Sequence, residues 1–464
     1  MGERMSTEHH STPSTSAADP VSDSVQDVLK TAIHAHQQAL ALLQQTEKAY
    51  GRLIPHQLLK LLNIDSIVDI KLGDQVERKM TIMFADIRNF TPLSESMTPA
   101  ENFEFINSYL SQMEPVISAH QGIIDKYMGD AIMSLFSTSG DDAMIAAIAM
   151  LKKLEDYNAG RKRAGYEPID IGIGLNTGMV MIGTVGGDDR MDSTVIGDAV
   201  NLTPRIEQAT KTYHAPLLIS QNTLYDLADP GKYDIRFLDR IRVRGKTQPL
   251  SIYEVFDGDP AELRSGKRAT RAMFEEAVAY YHLQEIPRAL DLLKKCVAMV
   301  PQDISALIYL TRCHDFLSTG THISTGELNN RLEWKDSFNL GIEEIDTTHR
   351  GLFERMSAFN ATVQKGDAKA VDEVLTFLEK HTQGYFKTEE ELMQRYNYPF
   401  IEYHLQEHRR FIRDIATLRA ETGKTDPLYL SFRTMLMLCD WFNGHFAKTD
   451  RHMVRHLLSQ MERN

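Results

Sequence analysis

A chain of 464 residues with 42% hydrophobic and 25% charged side chains has room for about three globular domains of roughly 150 residues each. Its formal net charge of −13 excludes the basic face that nucleic-acid binding requires and disfavours adhesion to an acidic membrane. No apolar run reaches the roughly 18 residues of a membrane span, and three cysteines without CxxC spacing, Cys296, Cys313 and Cys439, fit a reducing cytoplasm.

Residues 1–24, rich in Ser, Thr, Pro and His, read as disordered. Two seven-residue series follow, Val25, Ala32, Ala39, Thr46, Leu53 and, offset by four, Leu29, His36, Leu43, Tyr50. They make a coiled-coil seam with weak points at His36 and Thr46, so residues 25–72 are expected to be a helical segment that pairs two chains. The same pattern also suits one amphipathic helix packed on its own chain. Residues 73–257 alternate strands and helices. TIMFAD is a strand, Thr98 caps a helix, IIDKYM and AIMSLF flank a Gly129-Asp130 hairpin turn, a second helix runs from Asp141 to Arg163, and IDIGIGL returns as a strand. That β-α-β-β-α-β order predicts an α+β, split ferredoxin-like sheet. In residues 258–330, Ala277, Tyr280, Tyr281, Ala289, Ala298 and Pro301 resemble one tetratricopeptide-type helical repeat, which needs a neighbour to cover its faces. Residues 331–464 are helical, with breaks near Gly366, Pro399 and Gly423 to Pro427, and predict an all-α four-helix bundle.

Asp86 and Asp130 each sit where an apolar strand runs into a loop. Paired carboxylates of this kind can hold two divalent cations against a nucleotide triphosphate. Taken alone, Asp130 after Gly129 is as readily a turn carboxylate. The stretches FADIRNFTPLSE, GIIDKYMGDAIM, TVIGDAVNLTPRIE and RVRGKTQPLSIYEV resemble the class III nucleotidyl cyclase catalytic domain over about residues 50–257. The resemblance implies that Asp86 and Asp130, with the backbone of Ile87, bind two Mg2+ or Mn2+ ions, and that the backbone up to Phe90 approaches the phosphates. It implies that Asn201 orients the ribose, Arg205 stabilises transition-state charge and Lys246 holds the terminal phosphates. Lys126 and Thr194 would read the base. A donor-only lysine suits the unprotonated N1 of adenine, and a threonine can accept from its exocyclic amine, which points to ATP rather than GTP. In this family the site forms between two catalytic domains, so a homodimer with two equivalent sites is expected. Thr203 and Pro204 replace the usual small residues, and a shift or kink is expected in the turn presenting Asn201 and Arg205.

Near the C-terminus, His404 and His408 share a helix face at i, i+4, His445 and Asp450 lie five apart on another helix, and His349 and Glu389 sit on two more. Each alone is as well a core or solvated residue; together they suit iron in a helical bundle. The stretch EWKDSFNLGIEEIDTTHRGLF through WFNGHFAKTD resembles bacterial hemerythrin over residues 333–462. The resemblance implies a non-heme di-iron centre, one iron on His404, His408 and His445, the other on His349, with Glu389 and Asp450 bridging. At the position of the remaining family histidine stands Tyr385, with His381 one turn earlier. Tyr385 as a phenolate ligand, His381 reaching in, or an under-ligated second iron all fit.

The expectation is a cytoplasmic, homodimeric adenylyl cyclase that makes cyclic AMP and pyrophosphate, regulated by oxygen or redox state through the iron bundle. The alternatives are an iron- and oxygen-binding signalling protein on an inactive cyclase-like scaffold, and a guanylyl cyclase.

Overall fold

The computed structural model describes residues 20–50, 56–64, 66–187, 190–242, 249–320, 334 and 336–462. Of the segment 1–24 expected to be disordered, residues 1–19 lie outside them, as do the positions of Leu53 and Lys246, whereas residues 20–24 are helical. Two compact units divide the chain, residues 1–69 and 70–464.

The first unit holds α1 (Pro20–Tyr50) and the short α2 (His56–Leu61). Helix α1 starts at Pro20, five residues before the start read from the heptads, because a proline fits a first turn that has no partner for its N–H. Leu29, Ile33, Leu40 and Leu43 along α1 are all at least 46% exposed.

The second unit begins with β1 (Gln75–Ile87), α3 (Phe90–Glu95) and α4 (Pro99–Ala119). Thr98 and Glu101 close a reciprocal capping box at the start of α4. The hairpin β2 (Ile123–Met128) and β3 (Ala131–Phe136) turns at Gly129, whose φ of 68° a side chain would resist. Then come α5 (Gly140–Arg163), β4 (Ile171–Gly187), β5 (Arg190–Ile196), α6 (Asp198–Tyr213), β6 (Leu217–Ser220), α7 (Gln221–Asp226), β7 (Ile235–Ile241) and β8 (Leu250–Val255). The sheet order is β2-β3-β1-β4-β6-β8-β7, with β5 paired to β4. Its β2-β3-β1-β4 core is the predicted split ferredoxin-like arrangement. One face packs Ala85, Ile87, Ile132 and Ile171 against Tyr109 and Met113 of α4 and Ala147 of α5.

Helices α8 (Ala261–His282), α9 (Ile286–Met299) and α10 (Ile304–Thr319) cover the end of the sheet. The join is ionic as well as apolar. The fully buried Arg236 of β7 donates to Glu254 of β8 at 2.6 Å and to both oxygens of Asp303, which caps α10, at 2.7 and 2.8 Å. Lys267 of α8 reaches the same Glu254.

The bundle consists of α11 (Glu343–Asn360), α12 (Ala368–Arg395), α13 (Ile401–Glu421) and a fourth rod. That rod is α14 (Pro427–Trp441), a π-helix (Phe442–Asp450) and α15 (Arg451–Met461) in sequence. One continuous apolar core runs from Leu218 and Phe237 of the sheet through Phe274 and Tyr309 of the repeat to Phe432 and Trp441 of the bundle. Among the described residues, no helix is long and apolar enough to cross a membrane.

Candidate active site and metal centre

Asp86 ends β1 and Asp130 follows Gly129 at the tip of the β2–β3 hairpin. Strands β1 and β3 are adjacent, with Ala85 opposite Ile132, so the two carboxylates meet. Burial, then the hydrogen bond and charge of Asp86, push the Asp130 carboxyl up to about 7. Two acids forced together in this way favour a cation between them. Ile87 has its side chain in the core and offers only its backbone. Phe90 opens α3 and stacks on Phe105 at 6.4 Å, after Asn89 in the left-handed region at φ 56°.

Two residues that the sequence reading missed complete this cluster. Lys211 in the last turn of α6 lies 2.8 Å from Asp86 Oδ2 and 3.9 Å from Glu207. Burial raises the Glu207 carboxyl to about 7. Their i, i+4 spacing was visible in the sequence, but nothing there aimed the pair at the end of β1.

Asn201 and Arg205 sit on α6, Asn201 exposed and Arg205 half-buried. Helix α6 is not interrupted at Pro204, which lies inside it. Its first turn is tied to β4 by Asn176 Nδ2, which donates to the Ala199 carbonyl at 3.0 Å; within α6, Thr203 Oγ1 donates to the same carbonyl at 2.7 Å. The helix lies so close that a Cβ on Gly174 would stand 2.4 Å from the Glu207 nitrogen. Ten residues separate Asn201 from Lys211, about 15 Å along the axis. Lys126 of β2, paired with Asp125 at 3.3 Å, and Thr194 of β5 are both partly exposed.

In the bundle, six side chains from all four rods converge. Glu389 Oε2 lies 3.4 and 3.1 Å from the Nε2 atoms of His404 and His408, and its Oε1 lies 3.3 Å from His349 Nε2. Asp450 repeats the pattern, with Oδ1 3.3 and 3.0 Å from His404 and His445 Nε2 and Oδ2 3.2 Å from His349. Each carboxylate thus turns one oxygen to a three-histidine side and the other to His349. All six are buried.

The residues fit a metal pair. His445 Nδ1 faces Glu407 at 2.6 Å and His408 Nδ1 faces Glu390 at 3.1 Å. A carboxylate only accepts, so in the neutral rings the proton sits on Nδ1 and the Nε2 lone pairs face inward. Those two Nε2 atoms are 3.2 Å apart, a contact a shared cation resolves. Asp450 Oδ1 is buried and accepts no hydrogen bond. Burial opposes charge on His445 and His349, yet Asp450 and its carboxylate neighbours push them up to about 10 and about 9. The sequence reading missed Glu407 and Glu390, although each adjoins a predicted ligand.

The π-helix accounts for the five-residue spacing. In an α-helix, His445 and Asp450 would point about 140° apart; the i→i+5 register puts them on one face. His381 does not reach in: it is exposed, with Nδ1 2.9 Å from the Phe377 carbonyl and its ring on Phe377. Its place two turns before Glu389 carries it out of the cluster. Tyr385, one turn before Glu389, is half-buried with its ring 6.0 Å from that of His381.

Residues 73–255 match the family model for the adenylate and guanylate cyclase catalytic domain, and residues 340–457 match that for the hemerythrin HHE cation-binding domain. An adenylate cyclase of Anabaena cylindrica is 42% identical over 219 residues, 46% of this chain and 44% of that protein. The terminal-differentiation-specific adenylate cyclase of Dictyostelium discoideum is 33% identical over 287 residues, 61% of this chain and 13% of that protein. The chain therefore spans less than half the length of these curated relatives. The crystal structure of the adenylyl cyclase CyaB from P. aeruginosa shares 32% identity, covering 39% of this chain and 95% of that one with a TM-score of 0.36. Strand order, paired aspartates, convergent histidines and both matches agree: the chain joins a catalytic domain of the adenylate and guanylate cyclase family to a hemerythrin HHE domain.

Proposed function

We propose that the chain is an adenylyl cyclase converting ATP to 3′,5′-cyclic AMP and pyrophosphate at sites shared between two copies, with output set by the metal state of its bundle. The observation that carries the cyclase reading is the meeting of Asp86 and Asp130 at the β1 and β3 ends. Divalent ions bound there would neutralise the triphosphate and lower the charge cost at the α-phosphorus. In that reaction the 3′-oxygen bonds to the α-phosphorus, the bond to the bridging oxygen breaks, and the hydroxyl proton leaves. Asn201 would orient the ribose and Arg205 would meet charge developing on the phosphoryl oxygens. Lys126 and Thr194 would select adenine, and Lys246 would hold the terminal phosphates. The axial gap of about 15 Å between Asn201 and Lys211 supports a shared site, since one copy cannot bring Asn201 to its own Asp86. The exposed apolar stripe of α1 supports pairing of two chains.

For the bundle, we read the three-histidine side as one iron position and His349 with the two bridging carboxylates as a second, poorer one. An oxygen- or redox-linked signal is the effector class this donor set suits.

The test is turnover with ATP or GTP and magnesium or manganese. Cyclic AMP from ATP is expected, lost in Asp86→Ala and in Asn201→Ala, and partly restored when the two variants are mixed. No turnover by the wild type would favour the scaffold reading; equal use of GTP would remove the base-selection argument; no restoration on mixing would remove the shared site.

A further inference from the structure

The π-helix that carries two bundle ligands also touches the catalytic head, beside contacts made by the helices around it. Lys448 lies between His445 and Asp450 in sequence, and its Nζ pairs with Asp198 Oδ2 at 3.2 Å. Asp198 opens α6. Gly444 of the same π-helix stands against Asn222 of α7. A cavity of about 620 Å³ lies in this seam, lined by Asp198, Ala199 and Leu202 of α6 on one wall and His445 and Lys448 on the other.

Helix α6 spans the distance between the two centres. Its first turn meets the bundle through Asp198, its middle carries Asn201 and Arg205, and its last turn holds Asp86 through Lys211. Its sixteen residues measure about 24 Å.

We propose that α6 is the lever by which the bundle's metal centre acts on the nucleotide site, with Lys448 as the positioning residue at its near end. This rests on the cyclase and metal-bundle readings above. A cation held by both His445 and Asp450 requires the i→i+5 register, because only that register puts them on one face. Without that constraint the segment is free to tighten toward the more stable α register. Tightening rotates Lys448, three residues beyond His445, about the rod axis and away from Asp198. The first turn of α6 then loses a tether three residues before Asn201. A half-exposed ion pair shifts such an equilibrium by no more than about fivefold, so Lys448 trims the output rather than switching it.

The experiment uses the full chain, stripped by chelation and then reloaded with ferrous iron under argon. Metal content and hydrogen–deuterium exchange are measured for wild type, Lys448→Met and Asp198→Asn. Lys448 is 45% and Asp198 36% exposed, so both variants should fold. Iron is expected to slow exchange of the 198–205 amides about two- to fivefold in the wild type, with that difference lost in both variants at unchanged iron content. The iron-dependent change should fall on kcat rather than KM, and should vanish in Lys448→Met. Equal iron-dependent protection in wild type and variants overturns the proposal, as does an α6 indifferent to iron. A wild type that takes up no iron overturns the bundle reading and the lever together. Iron uptake with an indifferent α6 removes the lever alone. Absence of cyclic AMP removes the cyclase reading, while the exchange result still decides the coupling.

Discussion

Replacing Glu407 by Gln should cost the bundle far more metal affinity than replacing Glu390 by Gln. Both carboxylates face the outer nitrogen of a histidine whose inner nitrogen points at the cluster. Glu407 is 2.6 Å from His445 Nδ1 and 15% exposed, whereas Glu390 is 3.1 Å from His408 Nδ1 and 36% exposed. A charge-assisted bond that is short and dry is worth more than one half in water. Losing such an outer partner typically weakens binding 10- to 100-fold, about 1.4–2.7 kcal/mol. Glu407→Gln should lie toward the upper end, because the amide can also donate to Nδ1 and turn the inner nitrogen into an N–H that binds no metal. Glu390→Gln should stay below about tenfold. Competition of each variant against a chromophoric chelator gives the affinities, and total iron gives the stoichiometry. An equal or larger loss in Glu390→Gln would refute the assignment of tautomers from carboxylate contacts.

Burial pushes the Asp440 carboxyl up to about 6, although Ser251 Oγ donates to it at 2.8 Å. Below about pH 4 it is protonated in folded and unfolded chains alike, and above about pH 6 it is ionised in both, so stability falls by about 3 kcal/mol across that window. Because Asp130 and Glu207 also titrate upward, denaturant titrations should show a fall about 3 kcal/mol larger in the wild type than in Asp440→Asn; parallel curves would exclude it. Arg236→Met leaves Asp303 buried without its cation and should destabilise the chain by about 3–5 kcal/mol in the same assay, a loss under about 1 kcal/mol counting against the network. Tyr385→His should raise iron content toward two per chain, since it places an imidazole one turn before Glu389; unchanged stoichiometry would show that this position does not face the second iron.

Much of this was legible because it is local. Thr98 and Glu101 announce a capping box, Gly129 a turn, and His404 with His408 a shared helix face. Contacts between distant segments were not. Nothing in the sequence aims Lys211 at Asp86, which lies 125 residues away. The strand read as IDIGIGL runs on to Gly187 because its later glycines permit close approach rather than loops: a Cβ on Gly183 would stand 2.5 Å from the Asp74 carbonyl. The π register left only the odd spacing of His445 and Asp450 as its trace. Pro204 does not end α6, which packs on β4 so closely that a Cβ on Gly174 would meet the Glu207 nitrogen.

The salt cluster at the end of the sheet bears on how this protein can be divided. A gene trimmed after the last cyclase strand would encode a head that still contains Arg236 but no Asp303, and that bares the apolar side of β7 and β8. The match to the cyclase family ends at residue 255, yet the smallest piece able to stand in water should extend through α10, to about residue 319. Solubility and cooperative melting of serial C-terminal deletions would place that limit.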